Sequence, residues 1–349
     1  MFSILDIITI GSATRDVFLK SEGFEIRKHG PHLRASEGRA DSPTGVEQCF
    51  PLGAKIEIRE VVFTTGGGAT NTAVTFARQG LKTGCVSMVG NDFNGKEVIK
   101  ELKRERVKLF FVTHKDDYTA YSVILVHPNA ERTILSYKGE GQHLNLQEIK
   151  WKKLKAKWFF LGSLGGNLDL LQKAFEYIST RNFKIAFNPG GKEIANGLEN
   201  LRPYLTEVDI FSVNLEEAKS LLKSQITNPN DQSNSNGGMT KEDVLKELDK
   251  LVKGIVVLTL GPKGVLVSDK KNIYRAGTPD SPKVERTGAG DAFVSGFTAQ
   301  YILSNGDITK SIQFATANAS SVVAQYGPKA GILHKGDFGP WPLVEVEVL

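Results

Sequence analysis

The run Arg286-Thr287-Gly288-Ala289-Gly290-Asp291-Ala292-Phe293 carries a glycine-rich turn into an apolar segment and delivers an aspartate at its start. Backbone N–H groups at a helix N-terminus form an anion site. The small residues Gly288, Ala289 and Gly290 would let the amides of 289–291 close on a phosphoryl group as it gains charge. Asp291 is then placed to take a proton from an attacking hydroxyl. The blander reading is a tight strand-to-helix turn with a carboxylate that stabilises the helix start. The two are compatible.

Other places could complete such a site. Asp16, after the first apolar run, offers a carboxylate that can accept two hydroxyl hydrogen bonds, as a vicinal diol requires, or is a turn aspartate. Gly66 and Gly67 permit close backbone approach, and the nearby Asn71 amide both donates and accepts. Asn214-Leu215-Glu216-Glu217 follows a strand end, where α/β proteins place ligands; a helix cap is the alternative. Thr259-Leu260-Gly261-Pro262-Lys263-Gly264 also ends a strand and could be a simple hairpin, with Val265-Leu266-Val267 returning. Asn318 lies among small helical residues, and Arg132 is either a contact for an acidic substrate or a solvated strand arginine. Gly90 to Lys96 has P-loop spacing, but Glu97 stands where a hydroxyl must hold Mg²⁺. Asp92 there is a turn residue or a substrate contact.

The elements that must position these groups follow a βα rhythm. Apolar runs at 7–10, 84–89, 158–161, 184–187, 209–213 and 255–260 read as buried parallel strands. Amphipathic helices are expected at 70–79, 95–106 and 168–180 (capped by Asn167), with two more at 292–303 and 309–324. Two stretches, 17–65 and 107–137, carry strand patterns only, notably 55–61 and a hairpin of 121–126 with 132–137. They predict a small β-sheet lid on a main domain built from 1–16, 66–106 and 138–349. A long loop is expected at 29–51, a polar low-complexity surface insertion at 228–238, and an edge strand near 344–348.

Together the two glycine-rich motifs resemble the signatures of the ribokinase-like (PfkB) carbohydrate kinases, and the resemblance runs in order from Ile7 to about Leu333. It implies an α/β fold, a three-layer α/β/α sandwich with a mostly parallel central sheet and a small β-sheet lid. It implies an ATP-dependent kinase acting on a hydroxymethyl of ribose, another sugar or a nucleoside, with Asp291 as base. In the family, residues matching Asp16, Gly66, Gly67 and Asn71 bind substrate. Those matching Asn214 and Glu217 organise hydrated Mg²⁺ and phosphate. Thr259, Gly261, Gly264 and Asn318 match nucleotide-binding positions, and the lid often joins two subunits, so a homodimer is expected. Phe18, Phe110 and Tyr121 could stack on a nucleoside base. A catalytically silent sugar-binding relative and a vitamin kinase of the pyridoxal type are the alternatives; the lid strands and Gly66, Gly67 and Asn71 count against the latter. The second signature here opens Glu285-Arg286 where the family usually has Asp-Thr. That aspartate often helps hold a monovalent cation, so potassium activation is expected to be weak or absent, with Arg286 offering its own charge.

Composition agrees with an enzyme of this size. The 349 residues are 40% hydrophobic and carry a net charge of only +5, scattered except for Lys150, Lys152, Lys153, Lys155 and Lys157. Such a group reads as a solvated helix face and not as a nucleic-acid footprint. Cys49 and Cys85 lack metal-ligand spacing and suggest a reducing, cytoplasmic setting. The apolar run 4–10 is short and interrupted by Asp6, which suits a first strand better than a signal peptide. No run reaches the ~20 residues of a membrane span.

Overall fold

A computed structural model describes residues 4–28, 46–115, 117–127, 132–139, 147–226 and 239–349. The chain opens with β1 (Leu5–Ile10), β2 (Thr14–Lys20), β3 (Glu25–Lys28), β4 (Val46–Cys49) and β5 (Glu60–Gly66). Next come α1 (Gly68–Arg78), β6 (Thr83–Val86), β7 (Met88–Gly90), α2 (Phe93–Arg104), β8 (Lys108–Leu109) and β9 (Val112–His114). The hairpin β10 (Tyr121–Val126) and β11 (Arg132–Tyr137) leads to β12 (Ala156–Leu161), α3 (Leu168–Ser179) and β13 (Lys184–Phe187). Then follow α4 (Gly191–Ala195), α5 (Leu198–Leu205), β14 (Ile210–Asn214), α6 (Leu215–Ile226) and α7 (Lys241–Leu251). The chain closes with β15 (Ile255–Thr259), β16 (Val265–Ser268), β17 (Ile273–Ala276), α8 (Ala289–Leu303), α9 (Ile308–Val323) and β18 (Val346–Val348).

The main sheet runs β18-β17-β16-β15-β14-β13-β12-β1-β6-β8. From β8 to β15 every pairing is parallel, and β16, β17 and β18 add an antiparallel edge. Alternating side chains of one strand reach opposite faces. Thus Ile8 and Ile10 pack with Phe159, Leu171, Leu201 and Leu245 on one side. Ile7 packs with Phe76, Phe160, Phe297 and Ile312 on the other. Covering both faces with helices explains the uninterrupted apolar runs and gives the three-layer sandwich.

The lid is the sheet β11-β10-β2-β5. It departs from the expected boundaries at three points. Asp16 lies inside lid strand β2 and not on the main domain, while β8 joins the main sheet and β9 pairs with β7. Residues 55–59 are not a strand despite their alternation; the strand starts at Glu60. The run 84–89 divides into β6 and β7. Of the expected loop at 29–51, Val46–Cys49 is a strand paired with β3, and 29–45 lie outside the described residues, as does the insertion at 228–238. The lysine group at 150–155 surrounds a single 3₁₀ turn, Trp151–Lys153, in place of a helix.

Candidate active site

Gly288 adopts the left-handed conformation (φ 83°) that starts α8. A side chain there would meet Pro328, with Cβ atoms 2.4 Å apart, so glycine is required twice over. The Ala289 amide bonds the Arg286 carbonyl at 3.3 Å, and Ala292 bonds Gly288. The Gly290 and Asp291 amides have no partner among the described residues. Ala289, expected as an anion donor, is therefore occupied, and only these two amides remain available to a ligand.

Asp291 Oδ2 accepts a 2.8 Å hydrogen bond from Asn71 Nδ2. Burial pushes its carboxyl pKa up, opposed by that hydrogen bond and by the charge of Lys329. Asn71 is buried in the first turn of α1, and its Oδ1 has no donor among the described residues. This acceptor faces an uncompensated cost unless a donor reaches it. The turn into α1 uses Gly67 at φ 93°, where a Cβ would lie 2.5 Å from the Ser12 carbonyl.

Asp16 is buried and accepts from Thr14 Oγ1 at 2.9 Å. Gly66 approaches it so closely that a Cβ would stand 2.0 Å from Asp16 Oδ2. Desolvation raises the Asp16 pKa, with Thr14, Lys329, Ser122 and Arg15 pulling it down. Asp16, Gly66, Gly67, Asn71 and Asp291 thus gather where lid strands β2 and β5 meet the starts of α1 and α8.

A cavity of about 480 Å³ opens on the other side of the α8 N-terminus. It is lined by Asn214, Thr259, Gly261, Gly264, Ala289 and Gly290, with Phe293 and Pro279 as apolar walls and Arg132, Lys283 and Arg286 as cations. Thr259 to Gly264 is also the hairpin from β15 to β16, so both readings of that turn hold. Gly264 is forced: a Cβ would lie 1.9 Å from the Ala276 carbonyl. Asn214 and Glu217 bond reciprocally, side chain to backbone, at 2.9 and 3.0 Å. They cap α6, and burial raises the Glu217 pKa. No cluster of three metal-ligating side chains occurs among the described residues. A larger cavity, about 750 Å³, lies at the β8 edge against Phe110 and Lys150 and contains none of these groups.

Several expectations need correction. Asn318 does not reach the cavity: it is fully buried, donating to the Ala292 carbonyl at 2.8 Å and accepting from Leu333 N at 2.9 Å. Thr316, Ala319 and Ser320 of α9 face the cavity instead. Arg132 is only partly solvated, its side chain 28% exposed. It lines the cavity and pairs with buried Glu285 at 3.4 Å, so the cation beside Glu285 is Arg132. Glu285 also accepts from Thr287 N at 2.8 Å and Thr287 Oγ1 at 2.6 Å. Asp92 is structural, capping α2 through Gly95 N at 2.7 Å and holding Thr119. Phe18 packs under the lid with Ile124 and Val126, and Phe110 lies at the far cavity, so neither can stack on a base. The loop holding Lys329, which the sequence suggests would border the nucleotide pocket, does not line the cavity; Lys329 is buried against Thr65. A lysine in a Gly-Pro-Lys-Ala-Gly loop gives no sign of burial.

The chain matches the model of the pfkB family carbohydrate kinases over residues 44–335. It is 26% identical over 242 residues to the ATP-dependent 6-phosphofructokinase of Thermoanaerobacterium thermosaccharolyticum, covering 66% of this chain and 70% of that one. It is 26% identical over 274 residues to the ribokinase of Haemophilus influenzae (76% and 83%). The crystal structure of Arabidopsis thaliana ribokinase complexed with ribose and ATP superposes with a TM-score of 0.68 at 18% identity, covering 95% of this chain and 96% of that chain. The fold is ribokinase-like, and the chain belongs to the pfkB family of carbohydrate kinases.

Proposed function

We propose that the protein transfers the γ-phosphoryl group of ATP to a hydroxymethyl of a sugar such as ribose, or of a related sugar or nucleoside. The observation that carries this is the position of Asp291. It stands at a helix N-terminus with two free amides, between a cavity with cationic and apolar walls and a buried pair of hydroxyl-binding groups. Asp16 would accept from a diol, and the orphaned Oδ1 of Asn71 would accept from a third hydroxyl or from the acceptor hydroxymethyl itself. Asp291, oriented by Asn71, takes the proton of the attacking hydroxyl. The Gly290 and Asp291 amides meet the charge that grows on the transferring group.

The cavity suits a nucleotide: Phe293, Pro279 and Val323 can cover a base, and Arg132, Lys283 and Arg286 can neutralise phosphates. Bound Mg²⁺ would draw charge off the phosphate oxygens. With no carboxylate cage among the described residues, the protein would hold it through water, with Asn214 and Glu217 as the residues responsible. The Glu285 carboxylate already has Thr287 and Arg132 as partners, which supports catalysis without a monovalent cation.

A homodimer through the lid is the expected assembly. Val61, Phe63, Leu135 and Tyr137 are exposed, and strand pairing sets Phe63, Val17, Val123 and Leu135 in one row across the sheet. That row is opposite in alternation to Asp16 and Phe18, hence on the face turned from the substrate. A cytoplasmic location suits the free Cys49 and Cys85, and no helix among the described residues is long and apolar enough to cross a membrane. The test is ADP release from Mg-ATP with ribose, fructose, 2-keto-3-deoxygluconate, adenosine, cytidine and guanosine. Binding without turnover of any acceptor would favour the silent sugar-binding alternative.

A further inference from the structure

The cavity of about 750 Å³ at the β8 edge shares no lining residue with the nucleotide cavity and is the larger of the two. Buried Leu5 and half-buried Phe110, Phe111 and Val112 give it apolar walls, and exposed Lys108, Lys150, Lys152, Lys153 and Lys155 stand around it. The turn that bears four of these lysines is pinned in place. Trp151 packs on Tyr177 with ring centroids 5.4 Å apart. Leu154 is fully buried, and its carbonyl accepts from Tyr177 Oη at 2.7 Å. The Lys155 carbonyl accepts from Leu5 N at 3.1 Å. Glu148, the one carboxylate among the described lining residues, is engaged by His114 at 3.0 Å. Lys150, Lys152, Lys153 and Lys155 have no carboxylate partner among the described residues.

We propose that this cavity is a second ligand site, separate from the nucleotide and acceptor sites, for a small organic anion with an aromatic or aliphatic body and a phosphate, sulfonate or carboxylate group. Sites for small molecules are commonly concave and mostly apolar, with a few fixed polar groups and volumes of roughly 300–1,000 Å³. The cavity has that size and that division of its walls. Phe110, Phe111 and Val112 would cover the body of the ligand, and the lysine stems would extend those walls while their ammonium heads stay in water. Like charges crowded on one short turn repel one another, and a bound anion relieves that repulsion. A neutral apolar ligand would leave the ammonium groups without a counter-charge. A bare inorganic anion would leave the aromatic wall uncovered. A molecule that has both parts answers both surfaces.

The test is a fluorescence titration of the full chain with anilinonaphthalene sulfonate, beside phenylnaphthylamine, which has the same rings and no sulfonate. Lys150→Gln, Lys152→Gln, Lys153→Gln and Lys155→Gln are combined in one variant. Arginine at the same four positions makes a second variant that keeps the charge. All four side chains are exposed, so neither variant disturbs packing. The wild type and the arginine variant should bind the sulfonate at a site that the glutamine variant binds at least ~10-fold more weakly. The uncharged probe should bind the wild type and the glutamine variant alike, and more weakly than the sulfonate binds the wild type. Sulfonate held in the nucleotide cavity or on the exposed face of the lid would survive in the glutamine variant, so an unchanged isotherm there would overturn the proposal. Equal affinity of the two probes for the wild type would also overturn it, leaving an apolar hollow with no preference for anions. The titration needs no turnover, so its outcome is independent of the kinase reading.

Discussion

Replacing Gly66 with alanine isolates the role of Asp16 better than mutating Asp16 itself. Gly66 does not adopt a positive φ, so the backbone accepts alanine without strain. The added Cβ, however, would stand 2.0 Å from Asp16 Oδ2, 3.0 Å from its Cγ and 2.8 Å from Thr14 Oγ1. Ordinary non-bonded contact is about 3.5 Å, so the carboxylate must withdraw by more than an ångström. Thr14, which anchors Oδ1, is pushed at the same time. A misplacement of ~1 Å costs on the order of 10²-fold in rate, and overpacking of this kind costs about 1–3 kcal/mol of stability. Steady-state ADP release with sugar varied at saturating ATP should therefore show kcat/KM reduced by ~10²-fold. The KM for ATP, bound beyond Asp291, should stay near the wild-type value. Urea unfolding would confirm that the variant is folded. Full activity in Gly66→Ala, or equal losses toward sugar and ATP, would refute the assignment of Asp16 to the acceptor.

Asp291→Asn should lose at least ~10²-fold in kcat, the contribution of a positioned base. It should also alter stability in a defined direction. Burial raises the folded pKa of Asp291 above its ordinary value of 3.8, so the native state binds this proton more tightly than the unfolded chain does. The stabilising contribution of that group is present below 3.8 and declines as pH rises through the raised value. The asparagine variant lacks this decline, so urea unfolding should show it gaining on the wild type between acid and neutral pH; a loss would contradict the linkage. Asn318→Ala should destabilise by about 2–4 kcal/mol, because the Ala292 carbonyl and Leu333 amide both lose their partner. Its KM for ATP should not change, and a raised KM in a fully stable variant would restore Asn318 to the nucleotide site. Adding potassium to a potassium-free assay should leave the rate unaltered, since Arg132 and Thr287 already engage Glu285; a several-fold rise would be contrary.

The features legible in the sequence are those that rest on local spacing. Continuous apolar runs marked the parallel strands because both sheet faces are covered. The Gly-Ala-Gly-Asp turn announced its helix, since Gly288 takes the left-handed conformation that starts it. Even the edge strand β18 was visible from its alternation. What was hidden depends on contacts distant in the chain. Asn318 has the composition of a ligand residue, yet Ala292 and Leu333, 26 and 15 positions away, consume both ends of its amide. Arg132 meets Glu285 only because the lid folds over the α8 turn. Lys329 meets Thr65 across 264 positions. Residues 55–59 alternate like a strand but join no sheet among the described residues, so periodicity alone misled.

The central claim, that Asp291 is the base of a phosphoryl transfer to an alcohol, is tested most directly by one comparison. ADP release from Mg-ATP would be followed across the sugar and nucleoside panel for the wild type and Asp291→Asn side by side. The expected result is turnover with at least one acceptor, reduced at least ~10²-fold in the variant while acceptor binding by calorimetry persists. Turnover undiminished in Asp291→Asn would contradict the claim.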